Sequence, residues 1–285
     1  MDTSGPARTW GGMLGPRSSL ASILMVTLAA CEPELEPDAD HDGLSDREEA
    51  ELGTDPHAKD SDHDNYWDAW ELAEGTDPLD YESRIYAGFW PYYPDKDELE
   101  QGAWGTGTEL GTPFPRASFI DQHGDLVDLY DFANFTVNEP HEPAYIAIDV
   151  SAAWCGPCHD VSAWLAGDVD STTALFQGVY PTVRDKVRGL RVWWITVVVE
   201  ASGGQRPEPI DAEYWYTRHH DVYVPILVDG DQRIRDEFGI GVYPHVFLLD
   251  PELRMAYFPT REDVEAKGFP GIARLDELPW KGGLP

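Results

Sequence analysis

Hydrophobic and polar positions divide the chain into four stretches. An apolar run from Leu20 to Ala30 stands near the start. A polar stretch without apolar periodicity follows, to Asp80. Tyr81 to Thr112 then scatters Tyr86, Phe89, Trp90, Tyr92, Tyr93 and Trp104 among Pro and Gly, again without a clean period, and is expected to lie as a strap on the neighbouring domain. From about Gly111 short apolar runs alternate with helical stretches. Ser118–Asp121 and Leu126–Leu129 flank a Gln-His-Gly-Asp turn and predict a hairpin. Tyr145–Val150 and Arg191–Val199 are apolar enough for central strands, Pro225–Asp229 predicts another, and Gln232–Phe238 a helix. Val246–Leu249 and Arg254–Tyr257 predict a last strand pair. Such alternation predicts an α/β fold with helices on both faces of a central sheet.

Charge sharpens this division. Of 285 residues 53 are Asp or Glu and 20 are Lys or Arg, a net charge of −33. That argues against nucleic acid and anionic membrane surfaces as partners, since both attract cationic side chains. The excess is local: Glu32 to Asp80 holds 19 acidic residues against Arg47 and Lys59.

Within it two segments align at a period of 22 residues, Asp38–Glu49 and Asp60–Glu71, each followed by Gly-Thr-Asp-Pro. Carboxylates fall at loop positions 1, 3, 5, 9 and 12: Asp38, Asp40, Asp42, Asp46 and Glu49, then Asp60, Asp62, Asp64, Asp68 and Glu71. Position 6 is Gly43 or Asn65, the residue types that best tolerate a left-handed backbone. Main-chain carbonyls at position 7, Leu44 and Tyr66, would complete an oxygen shell. Carboxylates this dense repel without a cation, and a short oxygen-rich loop of this spacing suits calcium. The segment resembles the thrombospondin type 3 calcium repeats of bacterial surface lipoproteins.

The apolar run at the start is too short to span a bilayer as a helix and suits the core of a signal peptide behind Arg8 and Arg17. It ends Leu28-Ala29-Ala30-Cys31, which resembles the bacterial lipobox. The resemblance implies removal of residues 1–30, lipidation of Cys31, and a membrane-anchored protein of the extracytoplasmic envelope.

Two cysteines remain, Cys155 and Cys158. Structural zinc would need four ligands, and neither a second C-x-x-C nor a suitably spaced His pair completes them. A redox pair has a mechanism instead: Cys155 falls where a strand ends and a helix begins, and the helix N-terminus favours a thiolate. Trp154-Cys155-Gly156-Pro157-Cys158 is the thioredoxin active-site motif. Asp149, six residues before Cys155, matches the family's buried acid, and Tyr243-Pro244 matches its cis-proline loop. The phrase Thr112–Gly124 resembles the redoxin branch. The resemblance implies a thioredoxin fold with an N-terminal hairpin extension, no organic cofactor, protein thiols and disulfides as substrates, and a membrane electron donor. Cys155 would be nucleophile, Cys158 resolving thiol, Asp149 base, and Pro244 would shape the peptide-binding edge. Peroxiredoxin chemistry is not supported by Val150–Trp154, which lacks the expected Thr. The expected order is a signal (1–30), an acidic calcium stalk (31–80), an aromatic connector (81–110) and a thioredoxin-like domain (111–285). The rival class is a calcium-binding surface lipoprotein whose cysteine pair is an inert clip.

Overall fold

Two long strands, β3 (Tyr145–Ala152) and β4 (Val192–Glu200), run parallel at the centre of the sheet. Their near-continuous apolar sequence reflects burial on both faces. Ile146, Ile148 and Val150 join Trp193, Ile195, Val197 and Val199 on one side. Ala147 joins Val192, Trp194 and Val198 on the other. A computed structural model of the chain describes residues 36–134 and 144–278. The expected signal and Cys31 lie outside the described residues.

Five further strands complete the sheet: β1 (Ser118–Asp121), β2 (Leu126–Asp128), β5 (Ile226–Val228), β6 (His245–Leu249) and β7 (Met255–Tyr257). The order is β2-β1-β5-β4-β3-β6-β7. β5 is parallel to β4, β6 is antiparallel to β3, and the β1–β2 hairpin adds to the free edge of β5. Every strand read from the sequence is present. This is the mixed sheet of a thioredoxin fold with its hairpin extension.

One face is covered by helices, chiefly α3 (Gly156–Ala166), α4 (Ser171–Val179), α5 (Val183–Arg188), α6 (Pro209–Arg218) and α9 (Pro270–Glu277). α3 stops because Gly167 takes a left-handed conformation, φ 98°, and Asp170 caps the start of α4 through the Thr172 and Thr173 amides. The other face carries the short helix α7 (Arg233–Glu237) and the aromatic connector. Trp90 and Tyr86 are buried there, so the connector is a strap. Its polar ends are satisfied by buried acids: Trp90 Nε1 donates to Asp121 at 2.7 Å, and Tyr86 Oη to Asp131 at 2.7 Å.

Each acidic loop runs into a two-turn helix, α1 (Asp46–Leu52) or α2 (Asp68–Glu74). The stretch from Pro37 onward forms one compact unit, so the acidic repeats do not stand off as a separate stalk. Tyr66, expected to matter only through its carbonyl, is 3% exposed and packs in the core with the strap. One more helix, α8 (Arg261–Lys267), precedes α9.

Candidate redox site and acidic loops

β3 ends in a bulge after Ser151 that sets Ala152 opposite Glu200. The chain then turns through Ala153 and Trp154 into α3. Cys155 is the residue before the first helical turn, and its sulfur receives the Cys158 amide at 3.2 Å. Pro157 sits in that turn, where a missing N–H costs nothing. Cys155 and Cys158 form a disulfide, with their Cα atoms 5.3 Å apart. Both are buried, while Trp154 beside them is 54% exposed.

Asp149 lies on the helix-covered face of β3 and is fully buried. Ser151 Oγ donates to it at 3.0 Å and Thr196 Oγ1 at 3.4 Å. Burial outweighs these bonds and pushes its carboxyl up to about 7. A group in that range can take and return a proton near neutrality. The Tyr243–Pro244 bond is cis, as the motif implied, and opens β6, whose His245 pairs with Val150 of β3.

Several residues at this site were not picked out from sequence. His159 is stacked on Trp215 with ring centroids 4.4 Å apart and bonded to His219 at 2.8 Å. Its Nε2 lies 2.9 Å from the Ala153 carbonyl, so Nε2 carries the proton and Nδ1 accepts from His219 Nε2. Burial holds both rings neutral, His219 down to about 4. The pair braces the turn that carries Trp154. Glu200 and Arg235 also converge here. Glu200 was visible only as the first charge after an apolar run.

The acidic loops show the expected backbone. Gly43 and Asn65 have φ of 110° and 81°, and His41 and His63 at position 4 are also left-handed. Asp38, Asp40 and Asp42 bring one oxygen each within 4.8 Å of one another, and so do Asp60, Asp62 and Asp64. These are the only such ligand clusters among the described residues. Several buried oxygens here have no hydrogen-bond partner: Asp40 Oδ2, both Oε of Glu49, Asp62 Oδ2, Asp64 Oδ2 and Glu71 Oε2. Burial, reinforced by neighbouring acids, pushes Glu49 up to about 7 and Glu71 to about 8. A buried carboxylate without a donor is costly unless a cation takes its place. The donor set therefore fits a hard divalent cation at positions 1, 3, 5 and 12.

Position 9 also ties each loop together. Asp68 accepts the Ser61 amide at 2.8 Å and the Ser61 hydroxyl at 2.7 Å, and Asp46 accepts the Ala39 amide at 2.9 Å. These two carboxylates close their loops. Asp68 has both oxygens engaged, as Asp60 at position 1 has through the His63, Asp64 and Asn65 amides.

Among known proteins, residues 38–58 and 60–80 each match the bacterial TSP3 repeat family. No curated protein matches the chain. Solved structures similar to it include the thioredoxin domain of a Bacteroides vulgatus thiol-disulfide oxidoreductase, at 19% identity over 54% of this chain and 91% of that one, TM-score 0.36. Another is a thiol:disulfide interchange protein from Bacteroides sp., at 20% identity over 54% of this chain and 84% of that one, TM-score 0.35. This chain's own strand order defines its fold: two bacterial TSP3 repeats precede a thioredoxin-like α/β domain.

Proposed function

We propose that this chain is an extracytoplasmic, lipid-anchored thiol–disulfide oxidoreductase that works mainly as a reductase, with calcium bound by its two acidic repeats. The observation that carries the redox reading is the Cys155–Cys158 disulfide at the start of α3, with the buried Asp149 on the same face of the adjoining strand.

A dithiol donor at the membrane reduces the Cys155–Cys158 bond, delivering two electrons and two protons. Cys155, favoured as thiolate by the helix N-terminus, attacks a substrate disulfide and expels one substrate thiolate. A mixed disulfide forms. Cys158 loses its proton to Asp149 and attacks Cys155 Sγ. The second substrate thiolate leaves, and the Cys155–Cys158 disulfide returns. The half-neutral character of Asp149 suits a base that must also give the proton back.

Calcium would be held by Asp38, Asp40, Asp42, Asp46, Glu49 and the Leu44 carbonyl in the first loop. The second would use Asp60, Asp62, Asp64, Asp68, Glu71 and the Tyr66 carbonyl. The ion supplies positive charge that lets the buried carboxylates ionise together. Membrane attachment rests on the Leu28–Cys31 lipobox; no helix among the described residues is long and apolar enough to cross a membrane.

Following the reduced chain with a protein disulfide substrate tests the activity. Consumption of one Cys155/Cys158 dithiol per substrate disulfide is expected. An inert pair, unreactive to dithiols and disulfides alike, favours the surface-binding alternative. Mass spectrometry of the mature N-terminus tests the anchor, with acylated Cys31 expected.

A further inference from the structure

Three separate segments of the redox site meet at one side chain. Glu200 Oε2 accepts the Trp154 indole N–H at 3.0 Å. Its Oε1 accepts the Tyr243 hydroxyl and Arg235 Nη1, each at 3.1 Å. The main chain fixes its place, because the Ala153 amide donates to the Glu200 carbonyl at 2.8 Å. The Trp154 and Tyr243 rings meet edge to face, with centroids 6.0 Å apart. An ordinary surface ion pair contributes little and orders nothing. This carboxylate is only 17% exposed and takes three donors, so it does more than decorate a surface.

Two chemical consequences follow. The indole N–H and the phenol O–H both donate inward to Glu200, so neither is free to meet a substrate. Arg235 is shared between Glu200 and Asp236, so its charge is already engaged. What Trp154 and Tyr243 present is then ring surface, on a chain whose net charge is −33.

We propose that Glu200 is a positioning residue for disulfide exchange. It holds Trp154 and Tyr243 as a two-ring jaw beside Cys155–Cys158, and the jaw takes substrate cysteines flanked by apolar or aromatic side chains. This rests on the exchange activity proposed above. An acidic flank gains no free counter-charge from Arg235, which Glu200 and Asp236 already engage, whereas a ring or aliphatic chain buries apolar surface against the jaw.

The experiment uses the full chain and two disulfide peptides that differ only in Phe or Asp beside the cysteine. The unmodified protein is expected to prefer the Phe peptide by about tenfold in kcat/KM, the scale of one apolar side chain entering a site. Glu200→Ala should lose most of that preference through KM, with kcat little changed. Its Cys155–Cys158 bond should still be reduced by dithiothreitol at close to the original rate. Glu200→Gln, which keeps an acceptor, should recover part of the preference. The indole N–H resonance of Trp154, assigned by its disappearance in Trp154→Phe, should shift in Glu200→Ala and less in Glu200→Gln. Exchange with both peptides at equal rates, or a preference unchanged in Glu200→Ala, overturns the jaw alone. Exchange with neither peptide overturns the activity, and the jaw with it.

Discussion

Tyr66 donates its phenol to the main-chain carbonyl of Trp90 at 2.7 Å, joining the second acidic loop to the aromatic strap. The Tyr66 amide in turn donates to Asp64, whose carboxylate faces the cation position. Trp90 continues the connection by donating to Asp121 at the end of β1. Loop, strap and sheet therefore share one hydrophobic core.

Calcium removal should then weaken the whole unit. Ligand bound only to the folded state stabilises by about 2.7 kcal/mol per site at a hundredfold excess over Kd. Thermal unfolding followed by near-ultraviolet circular dichroism should show a single transition that moves to lower temperature on chelation. A separate low-temperature transition, with the main one unmoved, would mean that the repeats are independent.

The Tyr66 link can be divided into its parts. Tyr66→Phe removes a buried hydrogen bond and should cost about 1 kcal/mol. Tyr66→Ala also leaves a cavity in the core and should cost about 3–5 kcal/mol. Denaturant titration in excess calcium measures both. Equal effects from the two would show that packing of this ring is unimportant.

Asp149 makes the oxidised protein sensitive to base. Its folded carboxyl is raised to about 7, from about 4 in the unfolded chain. The folded state thus binds the extra proton between those values, and stability falls as pH rises towards 7. Asp149→Asn should be more stable than the parent at pH 8, by up to about 4 kcal/mol, with the gain shrinking towards pH 4. A gain independent of pH would contradict this.

The His159–His219 pair has the opposite sign. His219 is lowered to about 4, so between about 6.5 and 4 the unfolded chain binds a proton that the folded chain refuses. Stability held above pH 6.5 is lost as pH falls through that window. Protonation of His159, whose Nδ1 is the acceptor, would also set donor against donor across the 2.8 Å contact. His219→Leu should flatten the acid limb of a stability–pH curve. His245 is lowered to about 4 as well and keeps part of the slope in that variant.

Much of the fold was legible because its central strands are apolar on both faces and its turns carry Gly and Pro. The helices α5, α6, α8 and α9 were not read. α6 and α9 begin at Pro209 and Pro270, first-turn prolines that could have announced them. Cys155, Cys158, Asp149 and the cis Pro244 were legible through one motif and fixed offsets. Glu200, Arg235 and His219 were not, because only the sheet register and the packing of α7 and α6 bring them to the motif. The loop-closing bonds of Asp68 to Ser61 were not legible, because carboxylate spacing alone does not show which amides and hydroxyls each acid accepts. Tyr66 misled because a loop residue in a polar stretch gives no sign that its ring enters a core.

Covalent trapping tests the central claim most directly. Cys158→Ser, reduced and mixed with a disulfide substrate, should accumulate a mixed disulfide through Cys155, since the resolving thiol is missing. Cys155→Ser should accumulate none. Asp149→Asn, with both cysteines intact, should capture substrate normally and release it slowly. Mass spectrometry of the quenched mixtures reads all three. Trapping by Cys155→Ser and not by Cys158→Ser would reverse the assigned roles. No adduct in any variant would contradict the account and leave Cys155–Cys158 an inert clip.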